Sequence, residues 1–212
     1  MANVKNIRVP LWRKLAPFWR EIQWALLEKG IHDLADSNWW VEEAELLLCG
    51  NLDPKLCEEL LKYGADADPE VDNLDRLDVF IKDLPAGQGY QSVVFYAQDV
   101  LQDGWKLFDY GPIQNLQKYG AASPPEVPLE NFNVPTALVV GTYDKLADPT
   151  DAAWLNEQIK DSVVFYEEYP LGHVSFVLAK DMSWFTNDVV NLMDKYATNV
   201  FDSEPEQPLF VQ

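Results

Sequence analysis

The sequence predicts an α/β chain: a mostly helical first half, then a parallel strand–helix–strand–helix unit. Three observations carry this. Up to about residue 102, apolar residues recur at intervals of three and four, the period of a helix with one buried face. Beyond Pro135 the rhythm changes to short unbroken apolar runs rich in β-branched residues, as expected of parallel strands covered on both faces. These runs alternate with helix-like segments, and that order implies a parallel βαβ unit followed by a packing helix.

Leu11, Leu15, Phe18, Ile22 and Leu26 define an amphipathic helix over residues 11–28, which Pro17 should kink or split. Ser37 and Asn38 precede a helix over 39–49. Asp53 and Pro54 open another through residue 63, an Asp cap with Pro at the first helical position. The acidic stretch 64–73 (GADADPEVDN) reads as a solvated loop. Residues 92–102 are helical again, with Val93, Val94, Ala97, Val100 and Leu101 on one face. Gly104, Pro112 and Ser123-Pro124-Pro125 mark the way out of this region.

Residues 136–140 (TALVV) form a strand ending at Gly141, and after the loop 142–147 an Asp148-Pro149 start opens a helix to about Lys160. A second strand covers 162–169, a loop 170–176, and a closing helix 180–196. There are no internal repeats. The expected organisation is a helical region over 1–125, an α/β region over 126–198, and a tail over 199–212.

Composition narrows the function classes. A net charge of −19 repels phosphate backbones, and no Lys/Arg stripe offsets it, so a nucleic-acid partner is not expected. The basic residues Arg8, Arg13, Lys14 and Arg20 read as the wet face of the first helix. No apolar run approaches the ~20 residues needed to cross a bilayer, so no transmembrane segment is expected. The opening MANVKNIRVPLW is too polar for a signal peptide. Cys49 and Cys57 are too few for a zinc site and form either a local disulfide or two packed thiols. Nothing calls for a cofactor or a metal.

In open α/β sheets, reactive groups collect on loops beyond the carboxyl ends of strands. Two such loops exist here, and they carry Asp144 and His173. Adjacent parallel strands would bring a carboxylate beside an imidazole, the last two members of a Ser, acid, His triad in α/β-hydrolase order. Asp148 is a competing acid, but standing directly before Pro149 it is the better helix cap. An Asp after a strand is also commonly a turn former, and a loop His commonly solvated. His32 has no carboxylate partner in a comparable loop and reads as structural.

The stretches VPTALVVGTYDKLADPTDAAWL and YPLGHVSFVLAKD resemble the final portion of the acid lipases, the gastric and lysosomal type. RLDVFIKDLPAG, FDYGPIQNLQKYGAASPPEVPLENFNVP, SNWW and the Cys49–Cys57 pair are similar to that family's cap. ANVKNIRVPL resembles the point where its chain leaves the core sheet. The resemblance covers about residues 2–197. It implies a partial α/β-hydrolase fold, with 1–125 as the helical cap (lid) and 126–198 as the carboxyl-terminal part of the core. It further implies a Cys49–Cys57 disulfide and hydrolysis of triacylglycerols or steryl esters, with Asp144 as triad acid and His173 as general base. Where the family usually has Asp two residues after this His, here stands Ser175. For a full-length version, the resemblance implies a secreted or lysosomal location.

No G-x-S-x-G occurs in the 212 residues, nor does the early loop that supplies the first oxyanion-hole amide. The chain looks cut where the cap begins. The expectation is therefore a carboxyl-terminal portion of a lipase, inactive alone, that acts on a neutral lipid or ester only when completed by an amino-terminal half. The alternatives are a non-catalytic lipase-like binding or interaction protein, and an unrelated helical protein with a small α/β tail.

Overall fold

The computed structural model describes residues 3–34, 59, 62–66, 68, 70–81 and 87–201. The expected helix over 39–49, most of that over 54–63, and both Cys49 and Cys57 lie outside the described residues. The chain divides into two compact units, Met1–Ala179 and Lys180–Gln212. Among the described residues no helix is long and apolar enough to cross a membrane.

The first unit opens with α1 (Pro10–Leu15), a 3-10 turn (Ala16–Phe18) and α2 (Trp19–Glu28). Pro10 occupies a first-turn position, where a missing N–H costs nothing. Pro17 cannot continue the α-helical bond ladder, so one amphipathic segment becomes two helices joined by a tighter turn. A two-residue strand β1 (Asp33–Leu34) pairs antiparallel with β2 (Gln88–Gly89). Between them in sequence lies α3 (Leu77–Ile81). Helix α4 (Tyr90–Leu101) follows β2, buries Val94, Ala97, Gln98 and Asp99, and packs against α2.

Helix α5 (Pro112–Tyr119) was not expected from the sequence. Pro112 reads as an exit from structure, yet it stands in the first turn of α5, entered through Gly111 at φ 88° and ended by Gly120 at φ 75°. Both turns need the left-handed region that glycine tolerates. The buried anchor of α5 is polar. Asn115 accepts from the Tyr110 N–H at 2.9 Å and donates to Asp109 Oδ1 and the Ala122 carbonyl at 2.6 and 3.0 Å.

The α/β part has the expected order: β3 (Thr136–Gly141), α6 (Pro149–Gln158), β4 (Val163–Tyr169), then a short α7 (Ser175–Leu178). β3 and β4 pair in parallel, from Ala137 opposite Phe165 to Gly141 opposite Tyr169, with one irregularity between Thr136 and Ala137. Both strands therefore end side by side, and their following loops emerge at the same edge. Ile7, Val9 and Leu146 form a buried cluster against which Leu11, Trp12 and Tyr96 pack, joining the amino-terminal segment, α4 and the loop after β3.

Two expectations fail here. The stretch 64–73 is not simply solvated: Asp66 and Asp72 are 2% and 0% exposed. Arg8 does not lie on the wet face of a helix. It precedes α1 in an extended segment and reaches the loop after β3.

The second unit holds a π-helical turn (Phe185–Val189) running into α8 (Val190–Phe201). The closing helix thus extends beyond its expected end at residue 196.

Candidate active site

The loop after β3 is built around Asp144. Its carboxylate Oδ1 accepts from the backbone N–H groups of Leu146 and Ala147, each at 2.8 Å. Two local donors fix the side chain in one rotamer and satisfy a carboxylate that is 2% exposed. The second oxygen, Oδ2, lies 3.0 Å from Nδ1 of His173, in the loop after β4. The parallel register explains the meeting, since Gly141 and Tyr169, the last residues of the two strands, are direct partners. A carboxylate accepts only, so the ring proton facing Asp144 is on Nδ1, which in the neutral imidazole leaves Nε2 as the acceptor nitrogen.

The competing acid takes a different role. Asp148 accepts from Thr150 N–H at 2.9 Å as the cap of α6, and it pairs with Arg8 Nε. Arg8 also donates from Nη2 to the Asp144 carbonyl at 3.0 Å and from its backbone N–H to the Lys145 carbonyl at 2.7 Å. Two residues earlier, Asn6 donates twice to Asp151, at 2.9 and 2.8 Å. Asp151 is nearly buried, and desolvation holds its carboxyl above the usual range despite those bonds. The segment before α1 is thereby stitched to the stretch from Asp144 to Asp151.

Asp66 supports the same loop from another side. Its carboxylate accepts from the Lys145 backbone N–H and from Lys145 Nζ, both at 2.8 Å. Neither Asp66 nor Arg8 was singled out as functional in the sequence. The alternation Ile7-Arg8-Val9, two buried apolar residues around a charge, was the available signal for Arg8. For Asp66 no local pattern points to its role.

His173 opens onto a cleft of about 640 Å³ whose walls include Trp12, Ala65, Val93, Tyr96 and Leu146. The wall is largely apolar, with Tyr96 donating to the Leu146 carbonyl at 3.4 Å. Burial, then the charge of Asp144, push the Tyr96 phenol up, so it stays neutral. Ser92, in the first turn of α4, lines the same cleft. Ser175 is fully buried, and its hydroxyl accepts from Gly172 N–H at 3.0 Å. Among the described residues, neither hydroxyl is hydrogen-bonded to the His173 ring. His32 is exposed, its backbone carbonyl accepts from Tyr90 N–H at 2.9 Å, and its ring lies 6.0 Å from the Tyr90 ring.

Lipase member K of Mus musculus is 30% identical over 184 residues, covering 85% of this chain and 45% of the relative. The chain is homologous to the acid lipases. The human lysosomal acid lipase/cholesteryl ester hydrolase is 34% identical over 155 residues, covering 70% of this chain and 36% of that protein. The gastric triacylglycerol lipase of Bos taurus is 34% identical over 141 residues, covering 65% and 35%. This acid-lipase homologue therefore spans less than half the length of the relatives it matches. No family model matches the chain.

Proposed function

We propose that this chain is the cap and carboxyl-terminal core portion of a lipase-type carboxylic ester hydrolase. Residues 1–125 serve as the helical cap, 126–198 as the end of an α/β-hydrolase core, and 199–212 as a tail. Asp144 acts as the triad acid and His173 as the general base. The observation that carries this reading is the buried Asp144 carboxylate holding His173 Nδ1 at 3.0 Å, on the edge of an apolar cleft. A cleft of about 640 Å³ suits an acyl chain or a small ester.

In this scheme Asp144 keeps the imidazole in the tautomer whose Nε2 faces outward as a base. Nε2 takes the proton from a serine hydroxyl as that oxygen attacks the ester carbonyl. It returns the proton to the departing alcohol, and a water then repeats the sequence on the acyl-enzyme. Within these 212 residues no serine stands in a G-x-S-x-G elbow, so the nucleophile and the oxyanion hole come from sequence outside them. The relatives' names point to triacylglycerols or cholesteryl esters as the substrate class.

The test is complementation. The chain is co-expressed with an amino-terminal fragment carrying a family-type serine elbow, and hydrolysis of p-nitrophenyl esters and a triacylglycerol emulsion is measured. Activity is expected only in the combined sample, and His173→Ala should lower it by about 10⁶-fold. A soluble, co-purifying complex with no esterase activity, or activity indifferent to His173→Ala, would sink the reading.

A further inference from the structure

We infer that Asp66 is a positioning residue for the Asp144–His173 pair, a single side chain and its own carbonyl holding both loops of the dyad at once. The inference rests on the functional reading above for its catalytic meaning, but its geometry is independent of it.

Asp66 lies far from either loop in sequence, yet it touches the immediate neighbour of each dyad residue. On the acid side, its two carboxylate oxygens accept from the backbone N–H and the Nζ of Lys145, next to Asp144, at 2.8 Å each. On the base side, its backbone carbonyl accepts from the N–H of Val174, next to His173, at 3.5 Å. The approach there is close: a Cβ added at Gly172 would lie 3.3 Å from that carbonyl and 3.7 Å from Asp66 Oδ2. The His173 loop therefore packs directly on the Asp66 peptide.

The backbone of Asp66 is itself unusual. Its φ of 59° is the only positive value at a non-glycine among the described residues. This region costs most side chains about 1–2 kcal/mol and is tolerated by Asp and Asn better than by others. The conformation turns the carbonyl toward Val174 while the carboxylate faces Lys145. A residue 2% exposed, in a disfavoured conformation, with every polar atom named here directed at the two dyad loops, is placed to fix their separation. The other end of the same Asp144–Lys145 peptide, the Asp144 carbonyl, accepts from Arg8 Nη2 at 3.0 Å. That peptide is thus clamped from two sides, and only Asp66 also reaches the His173 side.

Substitution separates the parts. Asp66→Gly removes the carboxylate, suits the positive φ, and leaves the carbonyl to Val174. Asp66→Asn keeps one side-chain acceptor and presents an NH₂ group that cannot serve the second Lys145 donor. The first readout is hydrogen exchange at the Lys145 and Val174 amides, with the Asn115 and α4 amides as internal controls for global unfolding. The second is the downfield ¹H resonance of the proton shared by His173 Nδ1 and Asp144.

Exchange at Lys145 should rise about tenfold or more in Asp66→Gly and by less in Asp66→Asn, with the controls unchanged. The bridging resonance should broaden or vanish in the same order. If Asp66→Gly does not fold, Asp66→Asn decides alone: faster Lys145 exchange with a weakened resonance supports the inference, and wild-type behaviour overturns it. Wild-type Lys145 exchange and an intact resonance in a folded Asp66→Gly protein likewise overturn it. Absence of the resonance in the wild-type protein would count against the dyad itself, and Asp66 would then be judged on the two amides.

Discussion

Replacing Gly141 with alanine tests how tightly the two dyad loops are packed. Gly141 ends β3, is buried, and lies opposite Tyr169, the last residue of β4. A Cβ built there would sit 2.5 Å from the Leu171 carbonyl oxygen, 3.2 Å from that carbonyl carbon and 3.1 Å from the Phe176 ring. The nearest obstacle is backbone, so rotamer changes cannot relieve it. Restoring even a ~3.0 Å contact moves the Leu171 peptide by at least about half an ångström. That oxygen accepts from Tyr143 N–H at 3.1 Å, and the move stretches this bond toward ~3.6 Å, beyond useful length. Overpacking costs about 1–3 kcal/mol and the lost Tyr143–Leu171 hydrogen bond another ~1, so Gly141→Ala should destabilise by about 3 kcal/mol. At this chain length that is a fall of roughly 6–12 °C in melting temperature, read by circular dichroism. Asp144 and His173 sit just beyond the disturbed peptides, so their shared-proton resonance should weaken too. Gly89→Ala, with nothing within 4 Å of the added Cβ, is the control and should be near neutral. A folded Gly141→Ala protein melting within 1 °C of wild type would refute the packing argument.

Two further outcomes follow from the charges. Burial pushes the Asp99 carboxyl up to about 6, partly offset by its hydrogen bond from Gln102, and burial also raises Asp72 and Asp151. A raised folded-state value means that the folded chain holds its proton longer than the unfolded one. Stability from Asp99 is therefore highest below about pH 4 and is lost as pH rises toward 6, and Asp72 and Asp151 act in the same direction. For Asp99 the loss is at most about 3 kcal/mol, and Asp99→Asn should flatten the melting-temperature profile over that range, whereas an unchanged slope would exclude Asp99 as a source. Arg8→Ala leaves the nearly buried Asp148 without its cation and the Asp144 carbonyl without a donor. With Arg8 half exposed, a loss of about 1–2 kcal/mol is expected in urea unfolding, and a change under 0.5 kcal/mol would show that the stitch is unimportant.

Much of the α/β region was legible because its signals are local. The run TALVV closed by Gly141, the Asp148-Pro149 start and the run VVFYEEY each fix an element by composition alone, and parallel pairing follows from their order. Asp144 and His173 were legible for the same reason, as polar residues just past strand ends. What escaped notice was set by contacts distant in sequence or by polar anchors. α5 turns on Asn115, a fully buried amide with three bonds, and apolar periodicity cannot register such an anchor. Asp66 and Asp72 stand in a stretch whose acidity suggests water, but their partners, among them Lys145 and the Asp68 amide, draw them inside. Buried carboxylates are a small minority, so composition argues for the wrong answer when a specific donor is waiting.

The dyad's position depends on more than the βαβ unit that carries it. β3 and β4 bring two loops to one edge, and the Leu146 and Ala147 amides set the Asp144 rotamer. Those contacts aim the carboxylate but do not hold the loop itself, whose Asp144–Lys145 peptide is pinned by Arg8 Nη2 at its carbonyl and by Asp66 at its N–H. Asn6 binds the start of α6 through Asp151, and Trp12 and Tyr96 pack against the Ile7, Val9 and Leu146 cluster beneath. Every one of these supports lies before residue 100, in the region assigned to the cap. A cap attached only as a lid over a finished site could be altered freely without disturbing the residues below. Here the same segments that wall the cleft also bind the loops that carry Asp144 and His173. On the reading proposed above, this region is constrained by the dyad as well as by the substrate, and substitutions at Asn6, Arg8 or Asp66 are expected to disturb the dyad although none of them reaches the His173 ring.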